Sequence, residues 1–132
     1  MTRGSEELER RLADPSPEVR RRAVASLHDD ALRGARDLVL VALGDDDWRV
    51  RKEMVAVLAR QRCEADLVDA LIDALVQEED IGLRNAAAEA LAGMGEEAIG
   101  AVVERLGSLA PSGRIMALEV VGQSRDPRAS RV

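Results

Sequence analysis

Residues 14–27 read DPSPEVRRRAVASL, and residues 45–58 read DDDWRVRKEMVAVL. Thirty-one positions separate two passages with the same order of acid, branched aliphatic, arginine and small residue. A recurrence at such a period marks a repeat architecture, in which each unit is too small to bury its own apolar face and must stack on neighbours. The arginine after each valine fixes the register. It gives Arg20 and Arg51, and the same frame continues to Arg84 and Arg114, at spacings of 31, 33 and 30.

Around these anchors the chemistry repeats by column. Val19, Val50 and Leu83 stand one residue before, with Gly113 in the fourth copy. Ala23, Met54, Ala87 and Ala117 stand three after; Leu27, Leu58, Leu91 and Val121 stand seven after. Offsets of −1, +3 and +7 fall on one stripe of a 3.6-residue helix. Ser16 before Pro17, Asp47 before Trp48 and Asp80 before Ile81 carry N-cap chemistry. The pattern predicts "B" helices at about 17–28, 48–60, 81–93 and 111–122. Each follows a second apolar stretch, predicting "A" helices at about 5–13, 31–43, 64–76 and 96–106. Gly44 and Gly107 stand where a helix end accepts a left-handed residue.

Composition agrees. There is no Phe or Tyr and one Trp, and period-two alternation appears nowhere over a useful length, so helices are expected and strands are not. Helices this short are marginal alone, and the alanine column lets neighbouring axes approach closely. The expected fold is all-α: a single domain, 1–132, forming an α-solenoid of about four antiparallel helix pairs. The repeats span about 5–29, 30–61, 62–94 and 95–123. SRDPRASRV at 124–132 reads as the start of a fifth A helix, with Asp126 as cap and Pro127 at its first position, or as a tail that orders against a partner.

DPSPEVRRRAVASL, DDDWRVRKEMVAVL and EEDIGLRNAAAEALAGMG resemble HEAT repeats, in particular the short bacterial HEAT-like kind first associated with phycobilisome lyases. The resemblance covers essentially the whole chain, is specific for fold and says little about function. The fourth copy, LAPSGRIMALEVVGQ, departs from it. Ser108 replaces the acid six residues before the anchor and Gly113 replaces the valine, which weakens the expectation of inter-repeat polar contacts there but not of a helix.

The arginine column has two readings. Four arginines in register could grip a polyanion, or each could meet a carboxylate of an adjacent repeat. Asp14, Asp45 and Glu78 stand six residues before their anchors, and bidentate arginine pairing suits a half-buried site, so a structural ladder is the preferred reading.

Little in the chain points to catalysis. His28 is the sole histidine, at the end of the first B helix, where a cation suits the helix dipole. Cys63 is the sole cysteine; it reads as a small packing residue rather than a reactive thiol, allows no internal disulfide and fits a reducing, cytoplasmic setting. A His/Cys metal site is excluded by count, and with it the His-Glu iron ligands found in one enzymatic branch of HEAT-like proteins. The acidic runs at 45–47 and 77–80 lack the glycine and terminal Glu of a calcium loop and sit where helices begin. AGMGEEAIG at 92–100 reads as a turn. No cofactor and no enzyme activity are expected. The start of the chain has no apolar signal region, and the longest apolar run, 38–43, is too short to span a membrane.

The net charge of −6 is lopsided. Residues 1–60 hold twelve Arg/Lys and twelve Asp/Glu, whereas 61–132 hold seven and thirteen. An acidic chain disfavours nucleic acid as a partner. The resemblance implies that B helices line the concave wall. The candidate partner surface is then Arg21, Arg22, Arg49, Lys52, Glu53, Asn85, Glu89, Ile115, Met116 and Glu119. It runs from basic to apolar, and suits a protein segment with acidic groups toward the first repeat and an apolar anchor toward the fourth. Ile115 and Met116 face outward in this reading, and either a fifth repeat or a partner would cover them. Trp48 reads first as packed along the ridge between repeats, and alternatively as a binding hot spot. The leading expectation is a non-catalytic protein-interaction scaffold. The alternatives carried by the resemblance are a lyase or lyase subunit acting on a bilin and, behind it, a DNA-binding protein.

Overall fold

Three of the four B helices are entered through a side chain placed to start them. Ser16 Oγ accepts the Val19 amide at 3.4 Å, Asp47 Oδ1 the Arg49 amide at 2.8 Å and Asp80 Oδ1 the Leu83 amide at 2.9 Å. Each satisfies one of the orphan donors of a first helical turn. In the computed structural model, which describes residues 3–27, 35–60 and 64–123, these caps open helices α2 (Pro17–Ala25), α4 (Trp48–Arg60) and α6 (Ile81–Gly93). The fourth B helix is α8 (Pro111–Gln123), and the A helices are α1 (Arg3–Leu12), α3 (Arg36–Leu43), α5 (Ala65–Ala74) and α7 (Glu96–Arg105). A 3-10 turn at Leu106–Ser108 links α7 to α8. Among the described residues there are no strands.

Each A helix packs on the B helix that follows it, and each B helix on the next B helix. This is the all-α solenoid of antiparallel helix pairs. The apolar columns explain the stacking. Ala23, Met54, Ala87 and Ala117 are all fully buried, and so are Leu58 and Leu91, with Leu27 and Val121 nearly so. Leu43, Leu71, Ile72 and Ile99 from the A helices, with Leu75 just after α5, complete one continuous core. Burial of a Leu or Ile side chain is worth about 1.5–3 kcal/mol, so the core holds together helices that are too short to persist alone. The B helices pack more closely on one another than the A helices do. A cleft of about 440 Å³ opens between α3 and α5, with Asp66, Asp69 and Asp73 on one wall and Leu40 and Leu83 beneath.

Several boundaries differ from the pattern. α2 stops at Ala25, because Ser26 turns its hydroxyl back onto the Ala23 carbonyl at 2.7 Å. α3 starts at Arg36, after the non-helical Ala35. Neither Gly44 nor Gly107 is left-handed: Gly44 closes α3 at φ −98°, and among the described residues only Gly95 has a positive φ, 99°. The glycine-rich stretch at 92–100 is thus mostly helix, with the turn confined to Met94 and Gly95. His28, Cys63 and the expected fifth helix at 126–132 lie outside the described residues.

Gly113 has its own reason. A Cβ on this residue would run into Cγ1 of Val76, from the turn between α5 and α6, well inside van der Waals contact. The fourth copy lost its valine where the preceding repeat presses closest, and α8 forms regardless.

Candidate functional site

The anchor arginines are half-buried, except for the more exposed Arg114, and their main acceptors are not the expected ones. Arg20 donates from Nη1 to the Asp14 carbonyl at 2.7 Å, Arg51 from Nη1 to the Asp45 carbonyl at 2.6 Å, and Arg114 from Nη2 to the Leu109 carbonyl at 3.1 Å. Each guanidinium therefore ties down the turn that precedes its own helix. In the first two repeats the acid at that turn also folds back, Asp14 Oδ1 accepting the Ser16 amide and Asp45 Oδ1 the Asp47 amide, at 2.8 and 2.9 Å. The spacing of acid and arginine encodes this intra-repeat clasp.

Among the described residues, one anchor arginine reaches a carboxylate of the next repeat. Arg20 meets Asp45 in a fork, Nε to Oδ2 at 2.9 Å and Nη2 to Oδ1 at 3.2 Å. The Asp45 hydrogen bond raises the Arg20 pKa above its ordinary value against the opposing effect of burial. Arg51 has no such partner among the described residues. The turn before α6 is one residue longer, as Leu75 lies nine rather than eight residues before its arginine, and Glu78 is exposed. The Nε of Arg84 is buried with no hydrogen-bond partner. The expected ladder is corrected to one rung plus local clasps.

On the outer side of the B helices the candidate surface residues are laced together. Arg21 reaches Glu18 at 2.7 Å and Glu53 of the next B helix at 2.8 Å. Arg22 also reaches Glu18, at 3.1 Å, Arg49 pairs with Asp47 at 3.0 Å, and Lys52 crosses to Glu89 of α6 at 2.5 Å. The Arg21 hydrogen bond is the main reason why the Glu18 carboxyl drops from 4.5 to about 2, with Arg22 contributing; Arg49 does the same for Asp47, from 3.8 to about 2. The basic end of the surface is thus neutralised by its own neighbours. Asn85 and Glu119 are exposed.

The apolar residues redistribute. Met116 is half-buried against the core rather than outward-facing, while Ile115 is 61% exposed. Trp48 is 62% exposed, so the expected ridge packing is corrected: its ring stands off the first turn of α4. Ile81 occupies the same position on α6 and is exposed too. Ile81, Leu118 and Val103 were not singled out from the sequence. The Leu118 column is apolar in every copy (Val24, Val55, Ala88, Leu118) and the Val103 column in all but the first, which has Glu9, so the pattern alone does not tell a covered member from an uncovered one.

Among the described residues no group of His, Cys, Asp or Glu is arranged to hold a metal ion, and no helix is long and apolar enough to cross a membrane. The model of the family described as HEAT repeats matches residues 5–92, from the first A helix almost to the end of the third B helix. It does not single out the phycobilisome-lyase kind. No curated protein matches the chain significantly. The stacked helix pairs, the arginine clasps and this match over most of the length lead to one conclusion: the chain belongs to the HEAT-repeat family.

Proposed function

We propose that the chain is a non-catalytic scaffold that binds a protein segment along the solvent-facing side of its B helices, the concave wall. HEAT repeats generally serve as protein-interaction scaffolds, and close packing of the B layer supports its reading as the inner wall. The observation that carries the proposal is Trp48: the only aromatic side chain of the protein, largely solvent-exposed, beside the in-register Ile81. Trp is a frequent anchor of protein interfaces because a large rigid area is buried at low entropic cost.

The charge lacing changes the expected recognition. A partner's acidic groups would compete with Glu18, Glu53, Glu89 and Asp47 for cations already engaged. Apolar contact at Trp48 and Ile81 therefore supplies most of the affinity, and the paired rungs Arg21–Glu53 and Lys52–Glu89 supply a flat polar border. The same engagement disfavours DNA, whose backbone is held by cations that displace condensed counterions.

Affinity capture from the source organism, with the native chain and Trp48→Ala in parallel, tests this. Loss of the captured protein with Trp48→Ala, and retention with Asp66→Ala on the opposite layer, is expected. Equal capture by Trp48→Ala overturns the assignment.

A further inference from the structure

The turns that join each A helix to its B helix lie along one edge of the stack, because the pairs are antiparallel. The residues outside the described set, 1–2, 28–34, 61–63 and 124–132, join the chain at the opposite edge, where B helices end and A helices begin. A B helix of 13 residues holds the two edges about 20 Å apart. The second and third turns, 44–47 and 75–80, are therefore described throughout, and they abut: a Cβ on Gly44 would stand 3.4 Å from Asp80 Oδ2.

Exposure by itself says little at this edge, since the first residue of the B helix is partly or fully exposed in every copy. The side chains differ. Pro17 and Pro111 are compact, whereas Trp48 and Ile81 put large apolar surfaces, 62% and 58% exposed, on the two turns that abut. Around them the charge is one-sided. Asp46, Glu78 and Glu79 are exposed, and among the described residues none of the three has a hydrogen bond or salt bridge. The nearby cations are not open to a ligand: Arg49 holds Asp47, and Arg20, Arg51 and Arg84 are half-buried. Arg21 and Lys52, further along the B helices, are engaged by Glu53 and Glu89. An incoming chain therefore meets apolar surface and open carboxylates at this edge, and no exposed cation without a partner.

We propose that the segment docking on Trp48 and Ile81 is basic, with lysine or arginine residues flanking an apolar one. The apolar residue covers the indole and Ile81, while the flanking cations reach Asp46 in the turn before Trp48 and Glu78 and Glu79 in the turn before Ile81. The face of Trp48 adds a cation–π contact. This rests on the reading of Trp48 as the partner anchor, and it reverses the acidic segment expected from the sequence.

Trp48 fluorescence of the full chain, titrated with three short synthetic peptides, tests it. Each peptide has a central leucine flanked on either side by lysine, glutamine or glutamate. Saturable, salt-weakened binding of the lysine peptide is expected, with the other two about tenfold weaker or more. Glu78→Gln with Glu79→Gln should weaken it about fivefold. Asp66→Asn with Asp69→Asn, in the cleft between α3 and α5, should leave it unchanged, which separates the site from the net charge of −6. No preference for lysine, or an equal loss in the cleft variant, overturns the proposal. A preference for the glutamate peptide overturns it while leaving Trp48 as an anchor; a lysine peptide held as tightly by Trp48→Ala, read by calorimetry, overturns the anchor as well. Arg125→Gln with Arg128→Gln and Arg131→Gln should not alter affinity. A gain there would make this chain's own tail the occupant, native Trp48 emission that shifts with protein concentration would make it a second copy, and either result overturns the proposal.

Discussion

Arg20 and Asp45 meet across the boundary between the first two repeats in a two-pronged contact, with side chains only 15% and 10% exposed. The remaining nitrogen of Arg20 holds the Asp14 carbonyl, so one guanidinium fixes both its own turn and the next repeat. Arg20→Ala removes charged hydrogen bonds from a half-buried site and is expected to cost about 2–3 kcal/mol. Arg20→Lys cannot reproduce a planar fork and should lose about half as much. Arg114→Ala, which gives up one bond to a carbonyl, should cost about 1 kcal/mol. Urea unfolding of the three variants measures the ranking. An Arg114→Ala loss as large as that of Arg20→Ala would show that the inter-repeat fork contributes nothing.

Gly113 sits beneath Val76 with no room for a methyl group. In an open helix Gly→Ala gains about 1 kcal/mol; here overpacking against a stiff β-branched side chain should cost about 1–3 kcal/mol and reverse the sign. Val76→Ala clears the space, so in the double variant the alanine at 113 should become stabilising. A double-mutant cycle by thermal melting tests the coupling, and additive losses would place the strain elsewhere.

These two sites show what the sequence could and could not convey. The period, the caps at Ser16, Asp47 and Asp80, and the buried columns were legible because each rests on chemistry within about one helical turn or on a strict helical stripe. The Asp14-to-Arg20 spacing was legible as a pattern but not as a contact: whether the acceptor is a carboxylate or a carbonyl depends on how a turn folds back. One extra residue before α6 then carried Glu78 out of reach of Arg51. The departure at Gly113 needed a neighbour 37 residues away in sequence to explain it. Surface residues were least legible. Arg21 and Lys52 looked available to a partner, but Glu53 and Glu89 engage them, and Trp48 looked packed because a tryptophan is usually partly buried.

Acid should weaken the protein through the laced surface. The Glu18 and Asp47 carboxyls titrate at about 2 in the folded chain, below their ordinary 4.5 and 3.8. A depressed folded-state value means that their contribution is complete above the ordinary value and drains away as pH falls toward 2. Glu18 is exposed, and the half-buried Asp47 pairs with an exposed Arg49, so the effect is modest and salt-sensitive. Glu18→Gln with Asp47→Asn should flatten the stability profile between pH 4.5 and 2, and added salt should flatten the native profile in the same way. Parallel wild-type and variant profiles at low salt would mean that these pairs do not persist in solution.

Trp48 gives the most direct reading of the B-helix face in the absence of a partner. It is the sole aromatic residue, so intrinsic fluorescence reports on it alone. With the ring 62% exposed, emission from the folded monomer should already be that of a hydrated indole, open to acrylamide, and should shift little on unfolding. Trp48→Ala should change stability by no more than about 0.5 kcal/mol, the usual range for a surface site. Ridge packing predicts the opposite on each count: blue-shifted emission, protection from quencher and a loss of about 3 kcal/mol or more on truncation. Quenching of the native protein, compared with the same chain in denaturant, separates the two. A protected ring would remove the anchor on which partner binding is proposed to rest.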